Sequence, residues 1–485
     1  MSRHICIDLG ATSGRVMEVE FREGVINLRE QGRFLTRGDY LPYDGGIRLL
    51  WDIPRFWKDI LEILEKTEKA ETIAVDGWGV DFALLDSKGN LLRLPHHYRD
   101  KEHLEIYREV VERIGEEKIY NLTGIQLMPI NTLFQIYSLK KNTPYLLEHT
   151  HRLLMLPDLF TYFLSGESIC EYTEATTTQM YSVEEDNWAT GLLEELSLPT
   201  HYLLPVVKPG EVVGEVRKEL NILRGTRVVA TASHDTASAI FAIPMEEDSV
   251  YISSGTWSLV GIKINKPIIN EKTRKYNFTN EGGAGCITFL KNITGMWIFE
   301  ECRREWGKSI EELLSLEGVK TNSFIDVDDS RFQTPGNMTE KIRGFLRETS
   351  QDLPSNEKEV VRIILESLAF KYRWVIDKLE EITGIKFKNV HIVGGGAKNQ
   401  FLNQLTADVT RKEVVAGPYE ATTIGNALLQ MMAIEIIGGW NEGKELVKKS
   451  FPLRSYTPRE SEELERRYLS YTRMMEDKDE FARKS

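Results

Sequence analysis

The sequence predicts an α/β protein built as two domains. Three observations carry that prediction. At 485 residues the chain exceeds what one compact core accommodates, so two domains are expected. A unit made of a short apolar strand, a turn of glycine and hydroxyl residues, and a second strand opens the chain, and the same unit returns at Val250–Ile264. Two such units in two halves read as a duplicated architecture with an anion-binding hairpin in each half. Elsewhere, short apolar strands alternate with helical stretches, the pattern of α/β folds. The polar break PMEED at Pro244–Asp248 marks the boundary, giving domains of 1–244 and 245–485.

The elements follow in order. His4–Asp8 (HICID) reads as a strand and Arg15–Phe21 (RVMEVEF) as its partner, joined by LGATSG at Leu9–Gly14. Val25–Phe34 supplies a third strand, Asp39–Gly46 a turn-rich segment, and Pro54–Thr67 an amphipathic helix. Thr72–Val75 is a strand that runs into Asp76-Gly77-Trp78-Gly79-Val80-Asp81, followed by Phe82–Asp86 and the turn Ser87–Asn90. Lys101–Leu204 is mainly helical in pattern, and Arg227–Ala232 returns to strand. In the second half Val250–Ser253 and Trp257–Ile264 flank the turn Ser254-Gly255-Thr256. Ile293–Glu305 and Val360–Thr383 read as helices, Asn389–Val393 as a buried strand before Gly394-Gly395-Gly396, and a helix starts near Lys398. Val414 and Val415 form a short strand, Gly417–Thr423 leads into a helix over Ile424–Met432, and the charged Pro458–Lys484 tail reads as a solvated helix.

Composition narrows the function classes. Hydrophobic residues make 41% and charged residues 28% of the chain, which describes a soluble globular protein. The net charge of −13 argues against nucleic-acid or anionic-membrane partners, though a nucleotide needs only a local cradle of donors. Cys6, Cys170, Cys286 and Cys302 form no C-x-x-C pair, disulfide framework or zinc spacing. No leader pattern precedes the first strand, and the richest apolar run, Leu153–Leu164, is interrupted by Pro157 and Asp158. A cytoplasmic location is the expectation.

The stretch VVATASHDTASA at Val228–Ala239 concentrates the chemistry. It reads as a buried strand, a polar turn of Ser233, His234 and Asp235, and a helix start of small residues. An acid and an imidazole then sit at the carboxyl end of a strand, where open α/β sheets bind ligands. Asp235 in that setting can accept a proton from a substrate hydroxyl, or Ser233 and Asp235 can simply cap the helix. Gly394–Gly396 is either a tight turn or a side-chain-free floor for an adenine or ribose. The pattern G-x-x-x-x-G-K-[ST] is absent, so phosphate must be held in another way. Together, an acid ending the first strand, two hydroxyl hairpins, Ser-His-Asp near the boundary and a late triple glycine describe a split nucleotide site.

These segments resemble the FGGY carbohydrate kinases of the actin/hexokinase/Hsp70 superfamily. The resemblance is carried by DLGATSGRVM (Asp8–Met17), DGWGVDFALLD (Asp76–Asp86), LPDLFTYFLSG (Leu156–Gly166), EYTEATTTQ (Glu171–Gln179), ASHDTASA (Ala232–Ala239), SSGTWSL (Ser253–Leu259), TNEGG (Thr279–Gly283), HIVGGG (His391–Gly396) and AGPYEAT (Ala416–Thr422). It implies two actin-like, ribonuclease H-like domains flanking a catalytic cleft, the first holding sugar and catalytic base, the second holding nucleotide. It further implies ATP- and Mg²⁺-dependent phosphorylation of L-rhamnulose at its 1-hydroxyl in L-rhamnose catabolism, by a monomer or homodimer. L-fuculose, L-ribulose, D-xylulose and glycerol are alternative substrates, and an ATP switch acting on protein partners is an alternative class.

The resemblance also implies roles. Asp235 is the general base, and Asp8 positions Mg²⁺. Trp78, Gly79, Asp81, His234, Asp235 and Thr236 form the sugar site. Ala11, Thr12, Ser13, Gly14 and Arg15 with Thr256 form the phosphate hairpins, and Asn292, Glu300, Gly395 and Gly396 contact the nucleotide. Trp78 is equally readable as core packing, His234 as a satisfied buried histidine, and Asp81 as a cap. Glu300 departs from the Gln expected there, and Lys101 stands where the family often carries an Arg nearby.

Overall fold

The computed structural model describes residues 1–43, 46–100 and 102–482. The chain divides into two compact units. Unit 1 comprises Met1–Pro244, Lys263–Leu290 and Glu420–Phe451, and unit 2 comprises Met245–Ile262, Lys291–Tyr419 and Pro452–Ser485. The break at Pro244 is an edge of unit 1, but two later segments, 263–290 and 420–451, also pack with that unit. After Pro244 the chain thus passes between the two units more than once. The reason is visible at Ala421–Ala433, an apolar helix that lies on the first sheet.

In unit 1 a six-stranded sheet runs in the order Glu211–Glu215, Arg227–Ala230, Thr72–Gly77, Ser2–Leu9, Ser13–Arg22, Val25–Leu35. Ser2–Leu9 is antiparallel to Ser13–Arg22 and parallel to Thr72–Gly77, which is itself parallel to Arg227–Ala230. Ile5, Cys6 and Ile7 are all fully buried, as expected of a central strand covered on both faces. One cover is the helix Ala421–Ala433, whose Gln430 donates to the Ile5 carbonyl at 3.0 Å. At Gly425 a Cβ would stand 1.8 Å from the Ser238 carbonyl oxygen, so this helix and Asp235–Phe241 meet backbone to backbone. The second core of unit 1 is largely helical, built on Thr132–Asn142 with Phe134, Tyr120, Leu192 and Tyr202 buried.

Unit 2 repeats the central arrangement. Ser249–Ser254 is antiparallel to Trp257–Ile264 and parallel to Asn389–Val393. Asn389–Val393 pairs in parallel with Glu413–Ala416, whose other neighbour, Arg454–Tyr456, is antiparallel. The 27-residue helix Glu357–Thr383 covers this sheet from one side, its buried Tyr372 hydroxyl bonding Ser258 at 2.8 Å. Both units thus present a hairpin followed across the sheet by parallel strands, which is the duplication anticipated from the two turn units.

Three local expectations are corrected. Of the turn-rich segment Asp39–Gly46, residues 39–43 belong to the strand Gly38–Tyr43, antiparallel to Gly46–Trp51, and residues 44 and 45 lie outside the described residues. The helix expected from Ile293 starts at Trp297, because Cys286–Thr294 is a strand. Its β-branched run ITFLKNIT continues through Ile293, and Gly295 turns the chain where a Cβ would lie 2.6 Å from the Trp257 carbonyl carbon. The glycine-rich stretch leads into a short 3₁₀ turn at Gly395–Lys398, and the helix proper is Gln400–Thr410, capped by Asn399. No helix among the described residues is long and apolar enough to cross a membrane.

Candidate functional site

Three parallel strands of unit 1 end at one edge of the sheet, and each delivers an acid there. Asp8 is the penultimate residue of Ser2–Leu9, and Asp76 is its register partner on Thr72–Gly77. Arg227–Ala230 continues through Ser233, whose carbonyl accepts the Gly77 N–H at 2.8 Å, to Asp235 at the start of the helix Asp235–Phe241. Chain direction alone therefore gathers these carboxyl groups at the carboxyl ends of the strands.

Asp235 keeps 32% of its side chain exposed. Desolvation, then the charge of Asp8, push its pKa up to about 7, while the Thr236 hydroxyl donates to it at 3.2 Å. A carboxylate tuned to neutrality matches the requirement of a general base. His234 places Nε2 3.6 Å from Asp235 and Nδ1 3.6 Å from Glu281. Burial pulls its pKa down to about 4, so the ring is neutral at pH 7. Glu281, on the strand Thr279–Gly283, joins this group although the sequence reading assigned it no role. TNEGG carried only a family likeness there.

The first hairpin is organised by Arg15, the register partner of Asp8. Its guanidinium bonds Asp8 and Glu420 at 2.5 Å each, linking the first strand to the residue before the helix Ala421–Ala433. Thr12 is exposed at the turn, Ala11 and Ser13 are partly exposed, and Gly14 is buried against Phe34. Asp76 accepts from Asn426 at 2.5 Å through Oδ2, while its buried Oδ1 has no partner among the described residues.

The loop Gly77–Asp81 divides the expected sugar residues. Asp81 is fully buried and accepts from Trp51 Nε1 at 2.6 Å, Trp78 Nε1 at 3.0 Å, Gln135 Nε2 at 2.9 Å and the Tyr98 N–H at 3.3 Å. Three of these donors converge on Oδ2 and the fourth, Gln135, on Oδ1, so the carboxylate ties the loop to the residues around it. Trp78 is buried too, its ring 4.4 Å from that of Trp51. Gly79 is packed so that a Cβ would lie 2.7 Å from Thr177, and Val80 adopts φ +70°.

In unit 2 the turn Ser254-Gly255-Thr256 leaves Thr256 exposed. The Gly295 N–H donates to the Thr256 carbonyl and the Met296 N–H to that of Gly255, at 3.1 and 2.9 Å. Gly394 and Gly396 pack on Ser254, where added Cβ atoms would meet its carbonyl oxygen at 2.8 Å and its Oγ at 2.0 Å. Gly395 is exposed with nothing within 4 Å of such an atom. Asn292 is half-buried on Cys286–Thr294, and Glu300 accepts from Arg303 Nε at 2.8 Å within its own helix. Lys101 lies outside the described residues.

Among the described residues no group of three or more His, Cys, Asp or Glu side chains is arranged to hold a metal ion. The buried Asp76 Oδ1, without a partner among those residues, and the neighbouring Asp8 carboxylate are hard oxygen donors, few in number. That set fits Mg²⁺, which retains water and phosphate ligands and needs only one or two protein carboxylates.

Comparison with known proteins bears directly on this arrangement. Residues 4–242 match the N-terminal domain and residues 250–434 the C-terminal domain of the FGGY family of carbohydrate kinases. The rhamnulokinase of Oceanobacillus iheyensis is 39% identical over 463 residues, covering 93% of this chain and 98% of that protein. The rhamnulokinase of Bacteroides thetaiotaomicron is 38% identical over 477 residues, covering 96% of this chain and 98% of that protein. A ligand-bound xylulose kinase from Lactobacillus acidophilus shares the fold, with a TM-score of 0.80 at 16% identity over 98% of both chains. With both family domains matched in order and relatives aligned almost end to end, the chain belongs to the FGGY family of carbohydrate kinases.

Proposed function

We propose that this kinase phosphorylates L-rhamnulose at its 1-hydroxyl with ATP, giving L-rhamnulose 1-phosphate and ADP. The observation that carries the choice of sugar is the 38–39% identity to rhamnulokinases over more than nine-tenths of the chain. Asp235 is the general base in this reading. It takes the proton from the sugar hydroxyl as that oxygen bonds the γ-phosphorus and the bond from phosphorus to the ADP oxygen breaks. Proton acceptance of this kind is worth roughly 10² to 10⁴ in rate. His234, neutral and beside Asp235, accepts or donates a hydrogen bond to a neighbouring sugar hydroxyl, with Thr236 and the Gly79 backbone completing the sugar side.

Phosphoryl transfer depends on positioning and charge neutralisation more than on covalent help from the protein. Arg15 and the N–H groups of Ala11–Gly14 are read as phosphate ligands, as is Thr256 in unit 2. Asn292, Gly395, Gly396 and Glu300 are read as nucleotide contacts. Asp8, with Asp76 behind it, would hold Mg²⁺. Bound there, the ion supplies charge neutralisation on the phosphates. The same reading takes the enzyme to be cytoplasmic, as a monomer or homodimer.

A coupled assay of ADP release with Mg-ATP and a panel of L-rhamnulose, L-fuculose, L-ribulose, D-xylulose and glycerol tests the proposal. The expected result is a clear preference for L-rhamnulose, abolished by Asp235→Asn. Preference for another ketose would discard the sugar assignment, and turnover by Asp235→Asn would discard the base.

A further inference from the structure

Behind the sugar-side loops of unit 1 runs the threonine-rich segment Glu171–Gln179, to which the mechanism above gives no task. It is buried throughout, and its hydroxyls are used in a repeated way. Thr173 Oγ1 donates to Glu171 Oε2 at 2.5 Å and accepts the His234 N–H at 2.9 Å. Thr176 Oγ1 donates to the Thr173 carbonyl at 3.0 Å and accepts the Gly282 N–H at 2.7 Å. Thr177 Oγ1 donates to the Glu174 carbonyl at 2.8 Å and accepts the Val80 N–H at 3.0 Å. In each case the hydroxyl proton is fixed within the segment, which turns the oxygen lone pairs toward a different segment.

Side chains of the same stretch add to these bonds. Glu171 Oε2 also accepts the Ser233 N–H at 3.1 Å and the N–H groups of Thr173 and Glu174 at 2.9 and 3.2 Å. At Gly282 a Cβ would stand 2.7 Å from the Tyr172 ring, and at Gly79 the same distance from Thr177. The three segments so engaged carry His234 and Asp235, Glu281 on its strand, and Gly79. Ser233 and His234 are the residues immediately before Asp235, so their backbone fixes where its carboxylate stands.

We propose that Thr173, Thr176 and Thr177 are positioning residues that set the register of these three segments, with Thr173, ordered by Glu171, aligning Asp235 for proton transfer. The inference rests on the reading of Asp235 as base and of these segments as the sugar side. Misplacement of a reacting group by about 1 Å can cost on the order of 100-fold in rate, so Thr173 should act on turnover. Thr177, which holds the Gly79–Val80 backbone, should act on sugar affinity.

The test is steady-state kinetics of the full-length enzyme with Thr173→Val, Thr173→Ser, Thr177→Val and Thr178→Val, each checked by thermal melting. Thr178 is the structural control, because among the described residues its hydroxyl bonds only Ala175 and Met180, within or beside its own segment. Thr173→Val should lower kcat by roughly 10- to 100-fold with little change in KM for ATP, and Thr173→Ser should restore it to within about threefold. Thr177→Val should raise KM for the sugar by roughly tenfold, as expected for one lost hydrogen bond. Thr178→Val should lower the melting temperature without either effect. Should Thr173→Val not fold, Thr173→Ala against Thr173→Ser gives the same comparison. Wild-type kcat in folded Thr173→Val or Thr173→Ala, or equal damage in Thr173→Ser, overturns the inference. Asp235→Asn run alongside separates the two claims: turnover surviving there removes the base, whereas an inactive Asp235→Asn beside a normal Thr173→Val removes only the positioning role.

Discussion

The neutral imidazole of His234 stands 3.6 Å from the carboxyl group of Asp235. With the His234 pKa held near 4 by burial, the ring carries no charge at neutral pH and cannot stabilise ionised Asp235 as an ion pair. Asp235 therefore titrates at about 7, raised by desolvation and by Asp8. A base must be unprotonated to work, so kcat/KM for the sugar should rise with pH through about 7 and level above it. The pH profile at saturating Mg-ATP checks this. A flat profile from about pH 5 to 8 would separate Asp235 from the proton transfer.

Arg15 spans two carboxylates, Asp8 and Glu420, at 2.5 Å each. Only a planar guanidinium offers two parallel sets of donors in this geometry, and the compact ammonium of lysine does not. Arg15→Lys should therefore lose most of what Arg15→Ala loses, both lowering kcat/KM for ATP by roughly 10²-fold. Near-normal values in Arg15→Lys would show that charge alone suffices at this hairpin.

Much of the fold was legible because strands and their turns leave local signals. HICID, RVMEVEF and the two hydroxyl turns gave both hairpins, and the buried NVHIV strand gave the entry to the triple glycine. The unit boundaries were less legible, since nothing local in Ala421–Ala433 says that this helix packs on a strand more than four hundred residues earlier. Within the site, Asp235 and Asp8 stood out by position at strand ends. Asp81 and Trp78 did not reveal that they bond each other, because the same sequence serves a sugar contact or a buried hub. Glu281, Glu420 and Thr173 were invisible as partners, their significance arising only from chains that meet through the sheet and its loops.

Asp81 offers a test of the hub. It is fully buried, and burial, restrained by four hydrogen bonds, leaves its pKa at about 7. Its folded pKa lies above the unfolded value of about 4, so the protonated form is the one the fold favours. The contribution to stability is thus full below about pH 4 and is lost as pH rises through about 7. Asp81→Ala leaves several buried donors unpaired and should cost about 1–3 kcal/mol. Asp81→Asn retains an acceptor without a titrating proton. Its stability relative to wild type should improve between about pH 5 and pH 8, as read by denaturant midpoints. A difference constant over that range would mean that Asp81 stays in one protonation state.

The triple glycine separates folding from nucleotide contact. Gly396→Ala drives a Cβ into Ser254, and Gly394 adopts φ +81° with Ser254 2.8 Å from where its Cβ would be. Substitution at either position should lower stability whatever the ligand. Gly395 has open space around it and an ordinary backbone, so Gly395→Ala should melt like wild type. If the nucleotide lies against Gly395, the added methyl meets the ligand instead of the protein. KM for ATP should then rise by roughly tenfold, with kcat at saturating ATP and KM for the sugar little changed. Titration of ADP into the same variant by calorimetry should show an equal loss of affinity. Unchanged affinity for both nucleotides in a stably folded Gly395→Ala would move the nucleotide away from this turn, while the same loss accompanied by a lower melting temperature would assign Gly395 to the fold.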